Sequence, residues 1–550
     1  MKQPPLITPR EVDVPRAQRH TLPNGASLYA IPSDDFEVLR FTFVFRAGSS
    51  MQHAPFAASA TANMLSEGSR DMTARQIAEQ LDFYGSYFEV NVDRDYVYIS
   101  FSSLSKFFAP TLEVAEQILL QPLFPEDELR AYCEKRKQTL TIERRKVDTV
   151  VREIFAEALF GDKHPYGISY PEKDYDTLTR ADLESLYRRL YTAENCLVVC
   201  SGRIGEEELQ GIGALAEKLP RADRSATADF PAPRSEAYRF VERPDAVQSS
   251  LRVGRLLFTR THPDFVGMQV VATVLGGYFG SRLMQNLRGE HGYTYGVGAA
   301  MVNFEREGYL GIAAQVGAEV TAPALREIYN EIERLRREPM PEEELSLVKN
   351  IMTGEVMRIL DGPFGIADVT IENLLCGTNN GVILSLIHIS EPTRLRPSWE
   401  RSIQSMRFNG KRLSSIKRIR PENRAVCVLS KLYSVRIHPP CQFDEIGDRK
   451  LLGTLREEGM FRPSEIAESR PQGVAQHLAA LAERGLDHAD EQPFVAVEPV
   501  HSVAAQTHDG ALDFGRRIEH RFIDRKQVLY VIPCLQQHAQ EAVLLRAGRL

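Results

Sequence analysis

The chain has 550 residues, 26% charged and 43% hydrophobic, an ordinary globular composition with length enough for several domains. A net charge of −7 with pI near 6.1 gives no electrostatic reason to expect nucleic acid or an anionic membrane as partner, and no apolar run is long enough to span a bilayer. Seven scattered cysteines and prolines where a signal peptide needs an apolar core point to a reducing compartment, the cytoplasm.

Residues 1–17 read as a proline-rich extension. Asn24-Gly25 predicts a hairpin over residues 21–31, because a tight two-residue turn needs positive φ. Residues 41–45 predict a strand and 56–65 a helix of small residues. Thr73 starts a further helix with Ile77 and Leu81 on one face. Two alternating runs around Asp93-Arg94-Asp95 predict paired strands within residues 85–102. Helices follow over 107–120, 125–146 and 150–159, the second opening on acidic residues that suit the helix dipole. The loop His164-Pro165-Tyr166-Gly167 leads to a helix over 181–190 and a strand over 196–200.

The order then repeats. A strand over 251–258 answers 41–45, and the helix through Val270 answers the one through Thr61. Strands around Tyr295 and Leu310 answer those around Phe88 and Tyr98. Ala322-Pro323-Ala324-Leu325 answers Ala109-Pro110-Thr111-Leu112, and Pro341-Glu342-Glu343-Glu344-Leu345 answers Pro125-Glu126-Asp127-Glu128-Leu129. Two homologous halves, residues 18–218 and 235–433, are joined by the polar segment 219–234. Strands outnumber crossovers, so the fold class is α+β, each half a mainly antiparallel sheet with helices packed on it.

Residues 276–299 read GGYFGSRLMQNLRGEHGYTYGVGA. Leu283 and Leu287 predict a helix over 281–288, and Gly289 and Gly292 break it. Tyr293, Tyr295 and Val297 alternate as a strand. Arg288 therefore ends a helix and Tyr295 begins a strand, a placement from which both can grip a peptide backbone. Spacing alone favours a plainer reading, an arginine on a helix C-terminus beside an ordinary strand tyrosine.

The stretch resembles the C-terminal half of the insulinase/pitrilysin family of zinc peptidases, which includes the mitochondrial processing peptidases. Gly280-Ser281-Arg282-Leu283 matches its glycine-rich turn and S-R-L. Leu287-Arg288, Gly292 and Tyr295 match its L-R-x-x-x-G-x-x-Y. The resemblance covers residues 18–383 and, less securely, 398–432. It implies the processing-peptidase fold in each half, with Arg288 and Tyr295 binding substrate and polarising the scissile carbonyl.

The family carries H-x-x-E-H on a helix of the first half, where two histidines face one zinc and the glutamate activates water. Met64-Leu65-Ser66-Glu67-Gly68-Ser69 resembles the segment that follows the motif. Reading back, the metal-motif positions are Ser59, Ala62 and Asn63, none of which can do the work. The third ligand has no firm match. Glu143 is nearest and reads as a solvated helix charge. His53 reads as a loop residue and His164 as structural. His438 with Cys441 is a pairing by spacing only, and in the run from His538 to Ala542 the alanine stands where a second histidine is needed. No metal is therefore expected in this chain.

Together with these residues, the resemblance implies a non-catalytic, substrate-binding subunit of a heterodimeric zinc endopeptidase acting on unfolded peptides. The resemblance implies that a partner subunit carries H-x-x-E-H and the zinc. The alternatives are a structural scaffold without peptide binding and a divergent active peptidase.

Residues 384–394 read LSLIHISEPTR, one reading frame of a transposase adapter used in preparing sequencing libraries. The offset between the halves grows from 216 (341 − 125) to 228 (422 − 194, at the Glu-Asn pairs Glu422-Asn423 and Glu194-Asn195), so twelve residues have entered between them. We read residues 384–394 as an assembly artefact that forms no packed element. The tail, 434–550, has a different composition: past residue 450 it holds one lysine but six of the thirteen histidines. It reads as an extra module or as out-of-frame sequence joined on, the composition favouring the latter, with one amphipathic helix near 474–481. Sequencing the source DNA across this point is expected to give a read without the adapter codons; an uninterrupted genomic read containing them would refute the artefact.

Overall fold

A computed structural model describes residues 14–222, 230–236, 239–243, 246–387 and 429–433. The chain divides into two units, Met1–Ser434 and Val435–Leu550, and every described residue lies in the first. The extension up to residue 13, the segment around Trp399, the helix expected near 474–481, and His438, Cys441 and His538 lie outside the described residues.

The first half opens with the hairpin Gln18–Thr21 (β1) and Ser27–Pro32 (β2). Gly25 takes φ +92°, and the Asn24 side chain ties the turn down by donating to the Ala216 carbonyl at 2.8 Å. Then come Val38–Phe45 (β3), Ala57–Asn63 (α1), Ala74–Tyr84 (α2), Tyr87–Val92 (β4), Val97–Leu104 (β5), Phe108–Leu120 (α3), Glu126–Glu143 (α4), Val147–Phe160 (α5), Arg180–Leu190 (α6), Cys196–Gly202 (β6) and Glu206–Glu217 (α7). Thr73 caps α2 in a reciprocal box with Gln76, and Ile77 and Leu81 are buried as their spacing predicts. α7 was not anticipated.

The second half contains Ala246–Leu257 (β7), Phe265–Ala272 (α8), Thr294–Asn303 (β8), Gly308–Gly317 (β9), Thr321–Arg337 (α9), Glu342–Ile359 (α10), Pro363–Cys376 (α11), Asn380–Ile387 (α12) and Leu429–Tyr433 (β10). α12 corrects one expectation. It runs through the first four residues of the 384–394 stretch, because its helix is already under way at Asn380; the rest of that stretch lies outside the described residues.

The first sheet has the order β1-β2-β6-β3-β5-β4 and the second β10-β7-β9-β8. β6-β3-β5-β4 and β10-β7-β9-β8 follow the same connectivity. Only β2 with β6 is parallel; the other described pairs are antiparallel. β3 reads as a nearly continuous apolar run because both its faces are covered. Leu39, Phe41, Phe43 and Phe45 point into the core under the helices of the first half. Val44, on the other face, meets Ile366, Ala367 and Ile371 of α11, a helix of the second half.

The exchange is reciprocal. α5, from the first half, lies on the second sheet, where Phe155, Leu159, Phe160 and Tyr166 pack with Leu256, Phe304 and Tyr309. Gly254 makes this possible: a Cβ there would lie 2.4 Å from the Phe155 ring and 2.6 Å from the Leu310 carbonyl oxygen. Arg252 pairs with Asp148 of α5 at 2.7 Å, and Arg40 of β3 pairs with Asp368 of α11. The joining segment is less free than its polarity suggests. Phe230 packs on Tyr166, and the Arg234 and Glu236 amides donate to α5 carbonyls.

Asp95, 5% exposed in the turn between β4 and β5, is the junction of the halves. It accepts hydrogen bonds from the Tyr166 hydroxyl (2.7 Å), the Ser50 hydroxyl (3.1 Å) and the Glu305 amide (2.8 Å), the last from the second half. The Glu305 carboxylate in turn pairs with Arg46. His164 packs beside this network on Phe160, its Nδ1 accepting from the Tyr166 amide, and burial holds its pKa below the usual range. Phe155→Ala is expected to cost about 3–5 kcal/mol in denaturant unfolding. Phe83→Ala, at an 80% exposed site, should change it by less than about 0.5 kcal/mol.

Candidate functional site

The stretch that carries Arg288 and Tyr295 is built from departures from regular geometry. α8 runs into a π-helical turn, Thr273–Gly277, and Gly276 lets its end touch β8, since a Cβ there would lie 2.5 Å from the Ala299 amide nitrogen. After a short loop the expected helix forms differently: a second π-helical segment, Met284–Glu290, replaces the regular α-helix predicted over 281–288. Leu283 and Leu287 are fully buried, as their spacing predicts. The wider turn is held by the Asn286 amide, which donates to the buried Glu331 of α9 at 3.0 Å. Such turns concentrate at functional sites.

A β-bulge then turns Tyr295 outward. The β8–β9 register shifts between Thr294 and Val297. Buried Thr294 pins the irregularity: its hydroxyl lies 2.5 Å from the Gln315 carbonyl oxygen and 2.8 Å from that of Gly296, and accepts from the Gly296 amide. The extra residue breaks strict alternation, so Tyr295 is 84% exposed on the edge strand of its sheet.

The structure brings Arg288 and Tyr295 together. The Arg288 guanidinium carbon lies 4.9 Å from the centre of the Tyr295 ring and 4.6 Å from that of Phe279. Among the described residues, neither the guanidinium nor the Tyr295 hydroxyl has a hydrogen bond or ion pair. Arg282, six residues earlier, is the opposite case: Glu344 of α10 holds it through two hydrogen bonds, at 2.8 and 2.6 Å. Arg282 is thus a packing residue, while Arg288 and Tyr295 present free donors that can take a carbonyl or carboxylate. Phe279 was missed in the sequence; a single phenylalanine inside a glycine-rich turn was the available signal.

Ser59, Ala62 and Asn63 lie together on α1, and their chemistry does not fit zinc. The Ser59 hydroxyl donates to the Phe56 carbonyl at 3.0 Å, and the Asn63 amide donates to the Ser59 carbonyl at 2.7 Å. Ala62 is fully buried and has no base to offer. Glu143 ends α4, half-buried, and His53 sits in a loop, 3.5 Å from Asp182. Among the described residues no three His, Cys, Asp or Glu side chains converge as metal ligands would. A cavity of about 300 Å³ between the β7–α8 turn and α12, lined by Arg260, His262 and Thr378, shares no residue with either site.

The family model described as "Peptidase M16 inactive domain" matches residues 177–352, a span that includes Arg288 and Tyr295 but not α1. The uncharacterized zinc protease YmxG of Bacillus subtilis is 22% identical over 308 residues, which is 54% of this chain and 73% of that protein. An uncharacterized zinc protease of Rickettsia bellii is 25% identical over 290 residues, 51% of this chain and 68% of that one. Among solved structures, a peptidase M16 inactive domain from Pseudomonas fluorescens matches with a TM-score of 0.59 at 22% identity, over 75% of this chain and 98% of that one. A protease from Helicobacter pylori matches with a TM-score of 0.60 at 15% identity, over 76% of this chain and all of that one. Both share the fold. Purified with zinc in the medium, the chain is expected to retain no stoichiometric metal and to cleave no peptide alone. Elemental analysis finding one tightly held zinc per chain, or chelator-sensitive cleavage, would contradict this.

Proposed function

We propose that the chain is a non-catalytic member of the M16 (insulinase/pitrilysin) peptidase family, a subunit that grips unfolded peptides for a separate, zinc-bearing subunit. One observation carries this reading: Arg288 and Tyr295 stand side by side, their side chains without a hydrogen bond or ion pair among the described residues, while the metal-motif positions hold Ser59, Ala62 and Asn63. A chain with a substrate grip and no metal ligands is half of a peptidase. The zinc, with its chemistry of water activation, would belong to an H-x-x-E-H partner.

This chain's part is binding and orientation. The guanidinium donates to a peptide carbonyl, and the Tyr295 hydroxyl donates to the same carbonyl or its neighbour. Tyr295 lies on β8, an edge strand of the second sheet among the described residues, and Arg288 stands against its ring, so an extended peptide added to that edge would meet both. Keeping Arg288 half-exposed avoids the several kcal/mol that a buried, unpaired guanidinium would cost. No described helix is long and apolar enough to cross a membrane, and the four described cysteines are free thiols, which suits the cytoplasm.

With the partner present, Arg288→Ala and Tyr295→Phe should lower peptide turnover and leave folding and assembly intact. If the pair meets a developing oxyanion, each change should cost on the order of 10²-fold in kcat. If it holds only ground-state peptide, KM should rise with kcat unchanged. Wild-type turnover in both variants would replace this reading with that of a structural scaffold.

A further inference from the structure

We propose that Phe279 is a positioning residue for Arg288: stacking on its ring, together with that of Tyr295, orients the guanidinium without occupying any N–H donor. The inference rests on the reading of Arg288 and Tyr295 as a peptide grip and assigns Phe279 a part in it.

Neighbouring arginines show what is unusual about Arg288. Arg252 is held by Asp148, Arg260 by Glu372, Arg282 by Glu344, and Arg337 by Glu333. Each of those carboxylates orients its arginine by using up N–H donors. Arg288 has no such partner among the described residues, yet its guanidinium lies over two aromatic rings at 4.6 and 4.9 Å. An aromatic face attracts the cation through its quadrupole and leaves the edge of the guanidinium plane, where the donors are, open.

The Phe279 ring is 71% exposed, so core packing does not account for its place. Close backbone packing does set that place. A Cβ at Gly276 would strike the Ala299 amide, and Ser281 and Leu283 just beyond the loop are fully buried, so the loop that carries Phe279 is pinned on both sides. The backbone that flanks Arg288 and Tyr295 is open: a Cβ at Gly289, Gly292 or Gly296 would meet no described atom within 4 Å. A fixed aromatic clamp next to open space is the arrangement that pre-orients a cation for an incoming carbonyl.

The test uses the full chain and a fluorescein-labelled unstructured peptide, with binding read by anisotropy. Phe279→Ala should weaken binding by about three-fold, the scale of an exposed cation–π contact. Phe279→Trp and Phe279→Tyr should bind as wild type. Phe279→Leu, which keeps apolar bulk but has no π face, should behave like Phe279→Ala; binding by the leucine variant equal to that of the tryptophan variant would overturn the inference. A second readout needs no peptide. The Arg288 Nε–H resonance should be ring-current shifted in the wild type, keep that shift in Phe279→Tyr and lose most of it in Phe279→Leu. An unshifted wild-type resonance would overturn the positioning role. If Arg288→Ala binds peptide as well as wild type, the peptide-grip reading fails, and the resonance still decides the role of Phe279 separately.

Discussion

A carboxylate buried at the junction of the two halves is the constraint on which the fold depends. Asp95 is nearly inaccessible to water, so each of its hydrogen bonds must come from protein. The donors come from three separated segments: Ser50 before α1, Tyr166 after α5, and the Glu305 amide between β8 and β9. One misplaced segment would leave a buried charge short of partners, an arrangement far more costly than the intact one is stabilising. The network therefore fixes where the β4–β5 turn of the first half meets the β8–β9 turn of the second.

Around that junction each half completes the other. A sheet with apolar residues on both faces needs two layers of cover, and each half supplies only one layer to its own sheet. α11 covers the open face of the first sheet, and α5 covers that of the second. The aromatic cluster of Phe155, Phe160, Tyr166, Phe304 and Tyr309 fills the seam, and it tolerates no side chain at Gly254. Packing of the buried His164 and the partly buried Phe230 in the same seam explains why the 164–167 loop and the described residues from Phe230 to Glu236 run along it.

The candidate site follows opposite rules. Where the scaffold is regular, the site is built from two π-helical turns and a β-bulge, each held by a buried polar side chain or a close glycine contact. Departures of this kind are where a fold gives up local regularity to aim side chains outward. Here they aim Phe279, Arg288 and Tyr295 at one patch of surface, while the helix that would bear the metal motif has turned its polar side chains back on its own backbone.

Much of this was legible in the sequence. The Asn24-Gly25 turn, the apolar run of β3, the Thr73 cap and the paired Ile77 and Leu81 depend on local sterics and periodicity, which sequence records directly. That Ser59, Ala62 and Asn63 offer no donors suited to zinc is likewise read from residue identity alone. The paired acidic helix starts at Pro125 and Pro341 fixed the repeated order of elements. The tertiary structure alone decided the rest. No pattern announces that α5 and α11 exchange sheets, since each shows only an apolar face and not what covers it. The π-turn under Arg288 depends on the Asn286–Glu331 contact between distant segments, and the exposure of Tyr295 depends on Thr294 reaching across to Gln315. Residue identity determined what chemistry was possible here; long-range packing decided which side chains were left free to perform it.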